Sequence, residues 1–193
     1  MAKEGKTGVT ANTPKNILFG AGTIHKGLKY TGDSWNFAAT IVGATSGGSK
    51  LSIIPEVTKI EVDGALVAAK GLSVKTGETA SMEVNFIELT KELVMAATIG
   101  VAGTSEDTNY DVIESKPSIA EGDYWENIAF VGKTLEGKNI IAILENALCT
   151  SGFGQEGKNK EGAIGKYTFE SHAALESDLD TLPWKIYYPK ASS

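Results

Sequence analysis

Along residues 80–86 apolar and polar side chains alternate without a break: Ala80, Met82, Val84 and Phe86 against Ser81, Glu83 and Asn85. A period of two marks a strand with one buried face. The same period sets Tyr167, Phe169 and Ser171 against Lys166, Thr168, Glu170 and His172. Trp35, Phe37, Ala39 and Ile41 alternate with Asn36, Ala38, Thr40 and Val42, and Leu51, Ile53 and Val57 with Ser52 and Glu56 across Pro55. Both segments read as strands, with Pro55, which has no ladder donor, at an edge or a bulge. Ile140 to Leu144 is apolar throughout, so this strand is expected to be central and covered on both faces. Further strands are expected at 110–115, 125–132 and 184–188. One segment departs from the period: Leu89, Leu93 and Ala96, widened by Ala97, recur at helical spacing until Gly100. This predicts one helix of about three turns, packed on a sheet and stopped at Gly100.

Glycine punctuates these runs. Gly20-Ala21-Gly22 between Ile17-Leu18-Phe19 and Thr23-Ile24 suggests an N-terminal hairpin. Gly43, Ala44, Thr45, Ser46, Gly47, Gly48, Ser49 and Lys50 form a small, polar connection that is long for a tight hairpin. It is expected to project and move. Asp63-Gly64, inside Ile60 to Val67, is a strong hairpin signal. A two-residue loop would set Ile60 opposite Val67. A three-residue loop ending in Gly64 would set it opposite Leu66, which keeps Leu66, Ala68, Leu72 and Val74 in phase and is preferred. Lys75 to Glu78 reads as a turn, and Thr104 to Asn109 and Thr150 to Gly162 as exposed loops. Met1 to Lys15 reads as a flexible arm ahead of a single domain spanning 16–193, since neither a fixed-period repeat nor a compositional break divides the chain.

Composition narrows the function. A chain of 193 residues buries roughly 70% of the surface its unfolded form exposes, so a core needs no staples. Cys149 is the only cysteine, which rules out an intrachain disulfide and reads as a buried small hydrophobe. Acids number 24 and bases 18, for a net charge of −6. Every base is lysine. Arginine carries the planar fork that grips phosphate and guanine, so its absence counts against a nucleic-acid-binding surface. A surface past which DNA slides remains compatible. No signal-peptide run and no membrane-length apolar stretch is present, so a soluble protein made in a cytoplasm is expected.

Catalytic patterns give little. Gly152-Phe153-Gly154-Gln155-Glu156-Gly157 fits G-x-G-x-x-G, yet the residues after it are polar and glycine-broken where a phosphate cradle needs a helix. His25 and His172 fall in strands without a nucleophile motif and read as solvated positions. One cysteine and two distant histidines make no zinc pattern. Asp178-Leu179-Asp180 reads as a solvated turn, because Pro183 stands where a calcium loop needs glycine. No spacing selects a carboxylate pair, and the aromatics fall on apolar phases. No catalytic, cofactor-binding or metal residue is assigned, and the chain is expected not to be an enzyme.

The order Asn16-Ile17-Leu18-Phe19-Gly20-Ala21-Gly22, Trp35-Asn36-Phe37, Gly43-Ala44-Thr45-Ser46-Gly47-Gly48, Leu51-Ser52-Ile53-Ile54-Pro55-Glu56 and Glu61-Val62-Asp63-Gly64 resembles tail tube (major tail) proteins of long-tailed bacteriophages of Gram-positive hosts. Met82-Glu83-Val84-Asn85-Phe86, the helix from Leu89, and Lys166-Tyr167-Thr168-Phe169-Glu170-Ser171-His172 extend the likeness over almost the whole chain. The resemblance implies a mainly β fold, a β-sandwich or barrel of two packed antiparallel sheets with one flanking helix, similar to the type VI secretion tube subunit. It further implies hexameric rings stacked into a virion tail tube, assembled in the host cytoplasm, whose lumen conducts DNA without specific binding. Its partners would be copies of itself and the tape-measure, tail-tip and terminator proteins, with no cofactor. Carried over by position, Gly43 to Lys50 is the first candidate for the ring-to-ring contact and Met1 to Lys15 the second. Polar-face acids such as Glu61, Glu83 and Glu170 are candidates for a lumen wall that repels DNA. The alternative from another class is an Ig-like or carbohydrate-binding β-sandwich on a particle or cell surface, which shares the strands and the aromatics.

Overall fold

The computed structural model describes residues 7–157 and 159–190. The segment Met1 to Lys6 of the expected arm lies outside the described residues. The chain begins with α1 (Thr13–Asn16), β1 (Leu18–Lys26), β2 (Tyr30–Thr31), β3 (Ser34–Trp35), α2 (Phe37–Thr40), β4 (Thr45–Lys59) and β5 (Ser73–Phe86). It continues with α3 (Lys91–Thr98), β6 (Val101–Gly103), β7 (Val112–Glu114), β8 (Trp125–Thr134), β9 (Asn139–Cys149), β10 (Gln155–Glu156), β11 (Ile164–Ser171) and β12 (Trp184–Tyr187). Strand takes 46% of the residues and helix 10%, which places the protein in the mainly β class.

A large antiparallel sheet runs β1-β8-β9-β11-β5-β4, with β10 on β11 and β12 on β9, and two small sheets pair β2 with β3 and β6 with β7. Its continuity comes from β9. One edge of β9 pairs with β8 along nearly its whole length. The other edge pairs with β12 over Ile141–Leu144 and then with β11 over Ala147–Cys149. Between the two, Asn146 takes a left-handed conformation, φ 48°, while the register against β8 runs through it unbroken. Before it, Ile141 and Ile143 face Leu28, Ala129 and Val131 on one side of the sheet, while Leu144 faces the main core. Beyond it, Ala147 and Cys149 join Leu144 on the core side. The expected two-sided burial of this strand is found, and Cys149 is buried.

The sheet curls. Val42 N–H donates to the Ile24 carbonyl at 3.0 Å and Ile41 bridges His25, so the chain entering β4 meets β1, the strand at the other end of the order. Inward residues from every long strand thus share one core, among them Ile24, Met82, Val84, Phe86, Ile128, Leu144, Tyr167 and Phe169. α3 closes it with Leu93, Ala96 and Ala97. Thr90 caps the helix, its hydroxyl accepting from Leu93 N–H at 3.3 Å. The left-handed C-cap is Ile99 rather than Gly100. Gly100 serves close approach instead: a Cβ there would lie 2.6 Å from Ile113 Cγ2.

Several local expectations are corrected, most of them at glycine. Residues 18–26 form one strand, with a register shift between Phe19 and Thr23 at positive-φ Gly20 and Gly22. A Cβ on Gly22 would meet the Phe130 ring and sit 2.8 Å from the Val131 carbonyl oxygen. Gly47 and Gly48, φ 85° and 82°, likewise make a bulge inside β4, held by Asn85 Nδ2 donating to both carbonyls at 3.3 and 3.4 Å. Gly43 to Lys50 is therefore no projecting loop; most of it is strand. The expected strand at 35–41 is the end of β3 followed by α2. Asn36 Oδ1 accepts from Lys29 N–H at 2.8 Å and Thr40 Oγ1 donates to the Asn36 carbonyl at 3.0 Å, local bonds that compete with a ladder. Lys75 to Glu78 lies within β5, paired to Pro55–Val57. The Asp63-Gly64 turn forms, with Ala65 N–H on the Val62 carbonyl at 3.0 Å, but no strands flank it. Ile60 N–H bonds the Leu72 carbonyl at 2.8 Å, so neither Leu66 nor Val67 is its partner. Pro55 does lie in an outer strand beside the Glu56/Val57 bulge.

Candidate functional site

The most unusual surface is an arm. β11 pairs with β5 only over Gly165–Glu170 against Phe86–Ser81, whereas β4 follows β5 from Ser49 to Lys59. Beyond Ile53 and Ala80 the two strands continue as a ribbon closed by the loop 60–72. Residues 54–71 are exposed at all 18 positions. They include Ile54, Val57, Ile60 and Val62, with Leu66 99% and Val67 81% exposed at the tip. A lone two-stranded hairpin is marginal in water, and aliphatic groups clustered in the open mark an interaction surface.

The register explains why the arm cannot fold back onto its own core. Outward from the Ile53–Ala80 pair come Pro55 opposite Glu78, Val57 opposite Lys75 past the bulge, and Thr58 and Thr76, whose hydroxyls lie 3.0 Å apart. Val74 stands opposite Thr58 in this polar belt, and Ile60 and Leu72 lie farther out. The belt is fixed in place: Glu78 accepts from Trp184 Nε1 at 2.6 Å and from Lys75 Nζ at 2.5 Å. Lysine and indole donors together hold the Glu78 carboxyl below the usual carboxylate range. Trp184 packs against the main core, so the root of the arm is bolted down while its outer half is bare.

The three proposed wall acids separate. Glu83 and Glu170 share the outward face of β5 and β11, in rows set by Thr168 opposite Glu83 and Glu170 opposite Ser81. Glu61 lies apart, in the arm loop. Nor is the shared face purely acidic. Glu83 is flanked by Lys166 Nζ at 2.7 Å and Lys50 Nζ at 3.5 Å, and Lys166 above all depresses its carboxyl. Glu170 Oε1 accepts from Thr150 Oγ1 at 2.9 Å. The structure thus brings Glu83, Glu170, Lys50 and Lys166 together as a mixed-charge face.

His25 is a second correction: it is buried, not solvated. Thr23 Oγ1 lies 2.8 Å from Nε2 and Thr40 Oγ1 2.9 Å from Nδ1. Burial lowers its pKa from the ordinary 6.5. His172 donates from Nδ1 to the Glu170 carbonyl at 3.0 Å and meets Tyr124 edge-on. That pair lines an open depression of about 540 Å³ with Ile119, Asn146 and Leu175. Among the described residues no group of three metal-ligating side chains converges, and no helix is long and apolar enough to cross a membrane. The Gly152–Gly157 segment contains β10, and among the described residues no helix follows it. An aromatic patch lies on the outer side, where Trp35 meets Tyr187 edge-on at 4.9 Å and Tyr30 at 5.4 Å.

No family model matches the chain, and no curated protein matches it. The sequence reading chose Gly43–Lys50 as its candidate contact and did not single out the arm. Its signal was present as Ile54, Val57, Ile60, Val62, Leu66 and Val67, aliphatics that no single period gathers onto one face.

Proposed function

We propose that this chain is a structural subunit that polymerises into a hollow tube of stacked rings, as in phage tail tubes, and that the β4–β5 arm, in place of Gly43–Lys50, carries the contact between successive rings. The observation that carries this reading is the run 54–71, exposed at every position and aliphatic at its tip. Water-exposed aliphatics beyond a polar belt gain free energy only when another molecule covers them. The outer edge of β4, 15 residues long, supports it too, since unpaired strand edges invite pairing with another chain. A net charge of −6 without arginine supports passage of DNA without retention.

Negative-stain microscopy of the purified chain over a concentration series tests the proposal. Rings or hollow fibres are the expected result, and a monomer at every concentration, in the presence of tail-tip nuclei as well, would end it. The aromatic patch of Tyr30, Trp35 and Tyr187 favours a second reading, a surface-binding module. That reading requires a monomer whose tryptophan fluorescence responds to an oligosaccharide.

A further inference from the structure

We infer that the Asp63-Gly64 turn is a self-modification site: in the free subunit Asp63 converts to isoaspartate, so that the main chain comes to run through its side-chain carboxyl. The chemistry stands on the turn itself, and its effect on assembly rests on the reading of the arm as a contact.

The sequence offers this pair once. Asp63 is followed by glycine, no other aspartate is, and no asparagine is. Ring closure needs the amide nitrogen of the next residue to reach the aspartate Cγ, and glycine, having no Cβ, leaves that approach open. Both residues are exposed. Gly64 stands at φ 85°, and a Cβ built on it would meet nothing within 4 Å. The backbone bonds of the loop run from Ile60 N–H to the Leu72 carbonyl, from Ala65 N–H to the Val62 carbonyl and from Leu72 N–H to the Ala69 carbonyl, so none engages the Gly64 N–H. Nor does the Asp63 carboxyl have a partner among the described residues. Other aspartates are tied: Asp107 accepts from Asn109 N–H at 2.9 Å, and Lys116 Nζ holds Asp123 at 2.5 Å. A turn with so few bonds around it opens at little cost. Nucleophile and electrophile are thus adjacent in the chain, exposed and engaged with nothing else.

The reaction needs no other reactant than water. The Gly64 nitrogen bonds to Asp63 Cγ while the amide proton and the hydroxyl of the protonated carboxyl leave as water, closing a five-membered succinimide. Water then adds at the former main-chain carbonyl carbon of Asp63. Its bond to the Gly64 nitrogen breaks, the nitrogen recovers a proton, and a carboxylate is freed there. Net composition and charge are unchanged, but one extra main-chain atom now lies between Val62 and Ala65, inside the ring that the Ala65–Val62 bond closes. Leu66 and Val67, the most exposed aliphatics of the tip, follow directly and are redirected. Assembly would cover and restrain this turn, so conversion falls on subunits left free. The pair acts as a clock that retires them.

Peptide mapping of the full chain, kept dilute at neutral pH and sampled over weeks, tests the site. Trypsin cleaving after Lys59 and Lys70 isolates Ile60–Lys70, whose isoaspartyl form separates chromatographically at unchanged mass and is identified by electron-transfer fragmentation. Isoaspartate should accumulate at Asp63 and severalfold less at Asp33, whose next residue, Ser34, carries a Cβ and pairs with Thr31. Gly64→Ala should suppress it, and Asp63→Asn should feed the same succinimide with loss of ammonia. An unaltered Asp63, or as much isoaspartate in Gly64→Ala as in wild type, overturns the inference. For the clock, aged wild type and aged Asp63→Glu are each compared with their own fresh critical concentration, since glutamate must close a slower six-membered ring. Ageing should raise the value severalfold for wild type and leave that of Asp63→Glu in place. An isomerised arm that assembles like fresh protein overturns the clock. Isomerisation in a chain that never forms tubes defeats the assembly reading and leaves the modification site standing.

Discussion

Truncating the arm tip with the double substitution Leu66→Ala and Val67→Ala should separate assembly from folding. In the isolated subunit these side chains are 99% and 81% exposed, so removing them deletes almost no buried surface. Surface changes of this kind stay within about 0.5 kcal/mol of the parent. In the polymer the same atoms become covered. Burying a whole Leu or Val side chain is worth about 1.5–3 kcal/mol, and trimming each to Ala forfeits about 1–2 kcal/mol of that. For the pair the loss is about 2–4 kcal/mol, or roughly a 30- to 1,000-fold rise in the concentration at which polymer appears. Sedimentation across a dilution series reads the second quantity, and urea unfolding of the dilute monomer reads the first. Two results would refute the reasoning: a critical concentration within about twofold of wild type, or a monomer destabilised by more than ~1 kcal/mol, which would mean that the tip already packs on its own body.

Other outcomes follow from the interior and the charged face. His25 is held neutral by burial, with its pKa below the unfolded value of 6.5; between the two values the unfolded chain binds the extra proton, so stability is full above pH 6.5 and declines as pH falls beneath it. His25→Gln should remove that decline, seen as the difference between the two proteins' urea midpoints across pH 5–7. Gly20→Ala meets open space at φ 87° and should cost only the left-handed strain, about 1–2 kcal/mol. Gly22→Ala adds the collision with Phe130 and should cost about 1–3 kcal/mol more; equal costs in chemical denaturation would mean that the bulge relaxes freely. Glu83→Lys with Glu170→Lys turns a mixed face basic. Assembled tubes of this variant should retain double-stranded DNA at low salt and release it as salt rises, in a gel-retention assay; retention equal to wild type would place that face away from the lumen.

Much of the body was legible. Residues 80–86 and 167–171 announce their inward faces because each lies between two paired strands, and 140–144 reads as central because both its faces are covered. Leu93, Ala96 and Ala97 are the buried stripe of α3. Glycine misled for a physical reason: a positive φ is required both in a hairpin turn and in a bulge, and sequence cannot tell Gly20–Gly22 or Gly47–Gly48 in one from the other. The arm was illegible because side-chain period reports burial within the chain, and nothing in the chain buries 54–71. The environment of His25 was hidden because Thr40, fifteen positions away, reaches the ring only once the chain entering β4 has met β1.

Asn146 stands between the stretch of β9 that pairs with β12 and the three residues that pair with β11, and so sets a limit on how this chain could change through evolution. Losing that one codon would shift Ala147–Cys149 by one place against β8 and β11, while β12 kept its place. The loop 60–72 has no such grammar. Residues could be gained or lost there without disturbing the body, so the reach of the arm is free to drift between lineages while the length of β9 is not.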